Sequence, residues 1–316
     1  MYKMKKILFL GHNKWAVLSL KALINAGYKI VGVITETDKF DRIEKNIYDR
    51  FSRFNAYDSL KENARKLGCR VYQPVNINDP FFLEKIKKLK PDIAVIVSYH
   101  GILKKDFLEI VKVINIHGAP LPKYRGRSPI NWSIINGETY TGITAHHVIT
   151  RVDAGKIIEQ KLIPIFFKDR AIDVLLRSLP IYPELVLSSI KKIEDNPEYG
   201  REQDESESIY FPKRYPEDGK INWNIEKTID IYNKTRALSY PYPCARSYYQ
   251  NRQIFINSCS IVSERMVSPI PGIIIRSNED GVFITTIDGL IKIKTLIEEE
   301  EEIMASLILK VGKRLT

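Results

Sequence analysis

The chain has 316 residues, with 49 Lys and Arg against 38 Asp and Glu for a formal net charge of +11, and 44% of its residues are hydrophobic and 28% charged. Those proportions are ordinary for a water-soluble globular protein, and the length argues for two domains rather than one core. No apolar run approaches the roughly 20 residues needed to span a bilayer, so no membrane partner is expected.

Taken in chain order, the first residues, Met1 to Lys6 followed by Ile7–Leu10, briefly resemble a signal peptide. The apolar run stops at Gly11-His12-Asn13-Lys14, too early for a hydrophobic signal core, and reads as a first strand, Lys6–Leu10. Ala16–Ala26 is an amphipathic helix ending at Gly27, and Lys29–Thr35 is a second strand. Asp38–Asp58 is charged and aromatic, with Tyr48, Phe51, Phe54 and Tyr57 set among Arg42, Lys45, Arg50 and Arg53. Such interleaving can stack bases and bind phosphates, but Tyr48, Phe51 and Phe54 have helical spacing, and packing against a core is the expectation. A helix at Ser59–Leu67, a short strand at Arg70–Gln73, a helix at Phe81–Leu89 and strands at Asp92–Val97 and Val111–Ile116 follow. This βαβ alternation predicts an α/β domain with a Rossmann-like, mostly parallel sheet. The first strand-to-helix turn lacks G-x-G-x-x-G, so no NAD is predicted. His12, in that turn, is expected to face solvent.

The stretch Val113–Gln160 carries the chemistry. Asn115 and His117 are two apart, so on a strand both side chains leave one face, at a strand exit where open α/β sheets place their sites. Val152-Asp153-Ala154-Gly155 adds a carboxylate in a loop whose glycine lets the backbone approach a ligand. An amide, an imidazole and a carboxylate together suit transfer of an acyl-type group to an amine. His146 and His147 read as a core or strand residue and its exposed neighbour, and Trp132 as core. Cys69, Cys244 and Cys259 have no metal-ligand spacing; no metal is predicted, and the sparse odd set suggests a reducing cytoplasm.

A helix over Ala171–Lys192 precedes a polar, acidic stretch, Glu194–Ser208, that reads as a linker. Short β-rich runs follow at Gln253–Val262, Gly272–Ile275, Gly281–Ile287 and Leu290–Leu296, which suggest a smaller C-terminal β-barrel-like (OB-like) domain or a sandwich. The acidic run Glu298–Glu302 reads as a solvated turn or helix start. The expected division is a catalytic domain over 1–205 and a β-rich domain over 206–316.

Asn115-Ile-His-Gly-Ala-Pro-Leu-Pro-Lys-Tyr-Arg-Gly126, followed by Asp153-Ala-Gly155, resembles the signature of the folate-dependent formyltransferases. Pro129-Ile-Asn-Trp132, Asn136-Gly-Glu138, Pro212-Lys-Arg214, Asn233-Lys-Thr-Arg-Ala237 and Asp288-Gly289 extend the likeness over nearly the whole chain. One departure is Ala119-Pro120 in place of the usual Ser-Leu, which puts the turn's hydrogen bonding in question. The resemblance implies catalytic roles for Asn115, His117 and Asp153, with 10-formyltetrahydrofolate as cofactor. Asn115 and a protonated His117 would donate to the oxyanion that develops as an amine attacks, and Asp153 would hold the imidazole and help manage the amine's proton. It also implies a folate pocket lined by Tyr99, His100, Gly101, Ile102, Leu103 and Val152, although His100 serves equally well merely to turn the chain.

Within the family, Leu121-Pro-Lys-Tyr-Arg-Gly-Arg127, Asn136-Gly-Glu-Thr139, Arg151-Val-Asp-Ala-Gly155 and Lys213-Arg-Tyr-Pro-Glu-Asp218 look most similar to nucleotide-amino-sugar N-formyltransferases such as the domain acting on UDP-4-amino-4-deoxy-L-arabinose. Glycinamide ribonucleotide enzymes lack a C-terminal β domain, and formyltetrahydrofolate hydrolases carry an N-terminal regulatory domain that the strand near Lys6 leaves no room for. The resemblance therefore implies a UDP- or dTDP-linked amino sugar as acceptor, with methionyl-tRNA as the alternative within the class. The positive charge does not choose between them. Lys123, Tyr124 and Arg125 fit contact with an anionic substrate or a place on the rim of the turn. Lys213, Arg214, Asn233 and Arg236 are candidate diphosphate donors, although Asn233 and Arg236 also suit anchoring their helix. Tyr242 or Tyr248 would offer a flat face to a base. A cytoplasmic enzyme without nucleic-acid partner is expected, with the β domain as a homodimer surface. A non-catalytic folate or nucleotide-sugar binding protein is the reading from another class.

Overall fold

The computed structural model describes residues 6–37, 49–264 and 270–316. The chain forms two compact units. The first takes residues up to 129, 140–164 and 175–211; the second takes 130–139, 165–174 and 212–316. Two internal segments thus group with the C-terminal chain, where the sequence suggests a single division near 205.

The first unit contains β1 (Lys6–Gly11), α1 (Asn13–Asn25), β2 (Lys29–Ile34), α2 (Leu60–Lys66), β3 (Val71–Tyr72), α3 (Pro80–Leu89), β4 (Ile93–Val97), α4 (Lys105–Ile110), β5 (Val113–His117) and the short β6 (Arg125–Gly126). After α5 (Pro129–Ile135), which runs into the second unit, come β7 (Tyr140–His147) and β8 (Ile157–Pro164). Seven strands make one sheet in the order β3-β2-β1-β4-β5-β7-β8. The first five are parallel, while β7 and β8 run antiparallel to their neighbours. The sheet is therefore mixed. Its central strands read as unbroken apolar runs because both faces are covered: Ile7 to Leu10 and Ile93 to Val97 are buried throughout.

Helix starts follow local chemistry. Ser59 accepts from the Glu62 amide ahead of α2, and Asp79 accepts from the Phe82 amide ahead of α3, with Pro80 in the first turn where its missing N–H is harmless. The single helix expected over Ala171–Lys192 is two, α6 (Ala171–Ser178) and α7 (Ile181–Asp195). Pro180 lies between them; it supplies no amide to a continuing helix and its ring crowds the preceding turn.

In the second unit, α8 (Thr228–Leu238) packs on an antiparallel sheet of β10 (Ala245–Tyr249), β11 (Arg252–Val262), β12 (Ile274–Asn278), β13 (Gly281–Thr285), β14 (Leu290–Glu298) and β15 (Glu301–Met304); β9 (Tyr210–Phe211) belongs to the first unit, paired with β6. The sheet order is β10-β11-β14-β13-β12, with β15 on β14. Ile221, Trp223, Ile231, Ile256, Ile284 and Ile291 are among its core. The acidic run is the hairpin turn between β14 and β15, with Glu299 and Glu300 both at positive φ, 49° and 68°, as a tight two-residue turn requires. The last residues serve both ends of the strand order: Thr316 exchanges backbone hydrogen bonds with Tyr248 beside β10, and the Ile274 amide of β12 donates to the Lys313 carbonyl.

The start of α8 is held from the β13–β14 turn. One carboxylate oxygen of Asp288 accepts from both the amide and the hydroxyl of Thr228, each at 2.8 Å. Replacing Asp288 with Ala removes this cap and should lower stability by about 1–2 kcal/mol in urea unfolding, with little change in the slope of the transition.

Candidate active site

The site grows from the pairing of β5 with β7. In that antiparallel register Asn115 lies opposite His146 and His117 opposite Thr144. Directly opposed residues share a face, so the two-residue spacing of Asn115 and His117 is matched by that of Thr144 and His146. A register irregularity between β7 and β8 falls at Ala145/His146, a place where bulges re-aim side chains.

Asp153 comes from the loop joining β7 to β8 and has φ 51°, a left-handed conformation that is uncommon for non-glycine residues and most accessible to Asn and Asp among them. Its Oδ2 accepts from the Gly126 amide at 2.9 Å and lies 3.7 Å from His117 Nδ1. Its Oδ1 lies 3.5 Å from His146 Nε2 and accepts from Asn115 Nδ2 at 3.4 Å. Burial alone would raise the carboxyl's pKa. The electrostatic influence of His117 and the hydrogen bond from the Gly126 amide outweigh it and hold the group far below the usual carboxylate range.

Carbonyl partners fix both imidazoles. His117 Nε2–H donates to the Tyr124 carbonyl at 3.0 Å, which leaves Nδ1 toward Asp153. His146 Nδ1–H donates to the His147 carbonyl at 2.8 Å, so Nε2 accepts from Asn115 Nδ2 at 3.2 Å. His146 is thus a buried fourth member of the cluster, not simply a core residue. Its sequence signal is the alternation Thr144, His146 on a strand facing the motif. Gly155 answers to a different neighbour than a ligand. A side-chain carbon there would meet the His147 carbonyl oxygen at 1.9 Å, so the close approach is to protein backbone.

The turn after β5 is held from β7 and β8. Thr144 Oγ1 donates to the Ala119 carbonyl at 2.6 Å and accepts from the Leu121 amide at 3.2 Å, while Gln160 Nε2 donates to the Leu121 carbonyl and to Thr144 Oγ1, each at 2.8 Å. No hydroxyl at position 119 is needed. Beyond it, Lys123 lies 3.7 Å from Glu207, and Tyr124 is buried with its ring stacked on Phe211. Arg125 does not rim the turn: it is 0% exposed, and its guanidinium donates to Gln203, Glu205 and Tyr210. A cation removed from water must have such partners, and none of its donors is left to bind a substrate.

In the loop after β4, the His100 amide donates to Glu36 at 3.0 Å, its Nδ1 lies 3.3 Å from the same oxygen, and its carbonyl accepts from Arg127 at 2.9 Å. Tyr99 and Gly101 are half-buried. Leu103 belongs to the core beside Phe107, while Ile102 and Val152 are 66% and 47% exposed. His12 is not solvent-facing; it is 4% exposed, with ring centroids 6.0 Å from Tyr57 and 5.9 Å from His100. Burial, aided by His100 and opposed by Glu36, pushes its pKa down to about 4. Of the segment Asp38–Asp58, residues 38–48, with Tyr48, lie outside the described residues; Ala56 and the ring of Tyr57 pack inward.

The remaining candidates belong to the second unit. Asn233 and Arg236 are buried, and Arg236 Nε donates to Asn233 Oδ1 while Nη1 donates to the Asp169 carbonyl, both at 3.0 Å. They anchor α8 and are not displayed as diphosphate donors, because three-residue spacing on a helix turns them toward each other. Tyr242 hydrogen-bonds Asn131, and burial raises its pKa. Tyr248 lies under Lys220 at 5.4 Å. Lys213 is exposed. Among the described residues no helix is long and apolar enough to cross a membrane.

Compared with known proteins, residues 5–180 match the Formyl transferase family and residues 213–311 its C-terminal domain. The chain is 35% identical over 307 residues to a methionyl-tRNA formyltransferase of Thermodesulfovibrio yellowstonii, covering 95% of this chain and 93% of that one. It is 34% identical over 277 residues to the bifunctional polymyxin resistance protein ArnA of Wigglesworthia glossinidia brevipalpis, covering 84% of this chain and 39% of that one. The solved structure of WlaRD, a sugar 3N-formyl transferase with dTDP and 5-N-formyl-THF, superposes with TM-score 0.68 at 24% identity over 92% of this chain and 98% of that one.

The buried neutral His12 makes stability depend on pH. Its folded pKa lies below the unfolded value near 6.5, so the unfolded chain takes up the proton first and stability falls as pH drops from about 6.5 to about 4. Urea unfolding across that window should show His12→Gln gaining on the wild type by up to roughly 3 kcal/mol at the acid end.

Proposed function

Because the chain belongs to the formyl transferase family, we propose that it transfers a formyl group from 10-formyltetrahydrofolate to the amino group of a UDP- or dTDP-linked amino sugar. The observation that carries the reading is the close cluster of half-buried Asn115, buried His117 and His146, and an ionised, half-buried Asp153. For the acceptor, support comes from the Lys123-to-Arg127 turn and from the similarity to ArnA over 84% of the chain. The sugar formyltransferase with dTDP shares the fold.

Large apolar side chains left exposed at Ile102 and Val152 fit one requirement of a flat pteridine, which loses water from both faces on binding. Tyr99, His100, Gly101 and Leu103 supply the rest of the loop that would hold it. When bound, 10-formyltetrahydrofolate supplies an activated formyl group.

The residues then divide the work. One Asn115 N–H is held by His146 Nε2, which orients the amide; the other is only weakly held by Asp153 at 3.4 Å. That second N–H is the donor available for negative charge developing on the formyl oxygen. His117 has its Nε2–H committed to the Tyr124 carbonyl, so Nδ1 is the atom that takes the attacking amine's proton. Asp153, ionised and 3.7 Å away, stabilises the resulting imidazolium. In this reading the oxyanion's donor is Asn115, and His117 serves as the base. Within the first unit, half-exposed Lys123 is the cation offered to the acceptor's phosphates.

The second reading is methionyl-tRNA formylation, favoured by the 35% identity over 95% of the chain and compatible with the charge of +11. A side-by-side assay with 10-formyltetrahydrofolate separates the two: a panel of UDP- and dTDP-amino sugars should be formylated while methionyl initiator tRNA stays silent. The reverse pattern would transfer the assignment to tRNA. Asn115→Ala should lower kcat by about 10²–10³-fold with KM little changed, and His117→Ala should retain folate binding while losing turnover. Folate binding with no turnover of either acceptor class would support a non-catalytic binding protein instead.

A further inference from the structure

Residues 203–208 close the stretch that reads as a linker and 209–211 follow it, yet together they brace both sides of the cluster around Asp153. β9 pairs in parallel with β6, Arg125 beside Tyr210 and Gly126 beside Phe211. Gly126 is the residue whose amide holds the Asp153 carboxylate. Across the cluster, Gln203 Nε2 donates to the Asp153 carbonyl at 2.8 Å and to the Gly155 carbonyl at 2.7 Å. Gln203 Oε1 accepts from Arg125 Nε at 3.1 Å and Nη2 at 2.7 Å. Both N–H groups and both lone pairs of this 7% exposed amide are therefore used.

Arg125 is equally committed. Its two remaining Nη1 hydrogens go to Glu205 at 3.1 Å and Tyr210 at 2.8 Å, and the last Nη2 hydrogen goes to Glu205 at 2.9 Å. Glu205 also pairs with Arg151, two residues before Asp153. The chain is thereby tied from the Tyr124–Gly126 turn, through Arg125 and Gln203, to the backbone of Asp153 and Gly155. An amide alone fits at 203. A carboxylate would set oxygen against two carbonyls, and an apolar side chain would leave Arg125 and both carbonyls without partners.

Resting on the formyl-transfer reading above, we propose that Gln203 is a positioning residue for that reaction, holding Asp153 in the left-handed conformation that sets its carboxylate between His117 and the Gly126 amide. The hydrogen bonds of Gln203 go to Arg125 and to the Asp153 and Gly155 carbonyls, so it acts through Asp153. Without it the loop is free to leave a conformation uncommon for non-glycine residues, and the carboxylate drifts from the imidazole whose charge it stabilises.

The test uses the full chain with Gln203→Leu and Gln203→Glu, and Ser206→Ala as the control expected to behave as wild type. With whichever acceptor the wild type turns over, both Gln203 variants should lose about 10- to 100-fold in kcat. KM for either substrate should change by less than about threefold, since the loss lies in the transition state. The acid limb of the kcat profile should move to lower pH, because an imidazolium that has lost its neighbouring carboxylate gives up its proton more readily. Hydrogen exchange without any substrate should show residues 151–157 exchanging at least about tenfold faster, with β1 and β4 unchanged. Unchanged kcat and exchange in both variants would overturn the proposal, as would losses accompanied by faster exchange throughout the first unit, which mark a purely structural role. If the wild type turns over no acceptor, the formyl-transfer reading fails by itself. The substrate-free exchange of 151–157 then decides whether Gln203 holds the loop, with no local change overturning that too.

Discussion

A carboxylate taken out of water must be kept ionised by what surrounds it or it takes a proton, and the penalty for burying it unpaired is several kcal/mol. Around Asp153 stand two imidazoles, an asparagine amide and a backbone amide from three separate stretches of chain. Much else in the first unit follows. β7 must lie antiparallel to β5 in a register that sets His146 opposite Asn115. Gly126 must present its amide, and the loop after β7 must double back with a residue at positive φ. Gly155 must lack a side chain so that this loop can close on the His147 carbonyl. A one-residue slip between β5 and β7 would turn His146 to the other face and leave Asn115 without the partner that orients it.

The buried arginine presents the same problem with the opposite sign. Arg125 stays charged in the interior because Glu205 supplies the counter-charge and Gln203 and Tyr210 complete its hydrogen bonds. Burial works against its charge, but the Glu205 and Tyr210 hydrogen bonds prevail and raise its pKa. Whether such a pair adds net stability over an apolar substitute is a separate matter; here it supplies a fixed position for the turn whose Gly126 amide holds the Asp153 carboxylate.

How much of this is legible in sequence depends on range. The parallel strands and their helices come from local periodicity, and the spacing of Asn115 and His117 places them on one face. Asp153 joins them in the structure as the motif suggests. His146 escapes because a lone histidine in an apolar strand looks the same whether it packs or binds; only the pairing register distinguishes them. Arg125 escapes because it sits among charged turn residues that read as exposed, and its partners lie about eighty positions later in an acidic run with the composition of a linker. His12 follows the same pattern: Tyr57 and His100, which cover it, are remote in sequence. Asn233 and Arg236 show the reverse, since their helical spacing already allowed the mutual contact that the structure shows. Pro180 is local and visible, and it divides the helix where proline chemistry says it should.

The tie between the 124–126 turn and residues 203–211 has a consequence for the order in which the protein is made. Arg125 emerges from the ribosome long before Gln203, Glu205 and Tyr210, and until those residues follow, its guanidinium has no counter-charge and cannot enter the interior. The nascent chain can lay down β1 to β8 from their own apolar patterns, but the turn beside Asp153 stays open and hydrated until Phe211 has cleared the exit tunnel. A fragment cut for expression before residue 203 would be arrested in that same unfinished state, however complete its sheet.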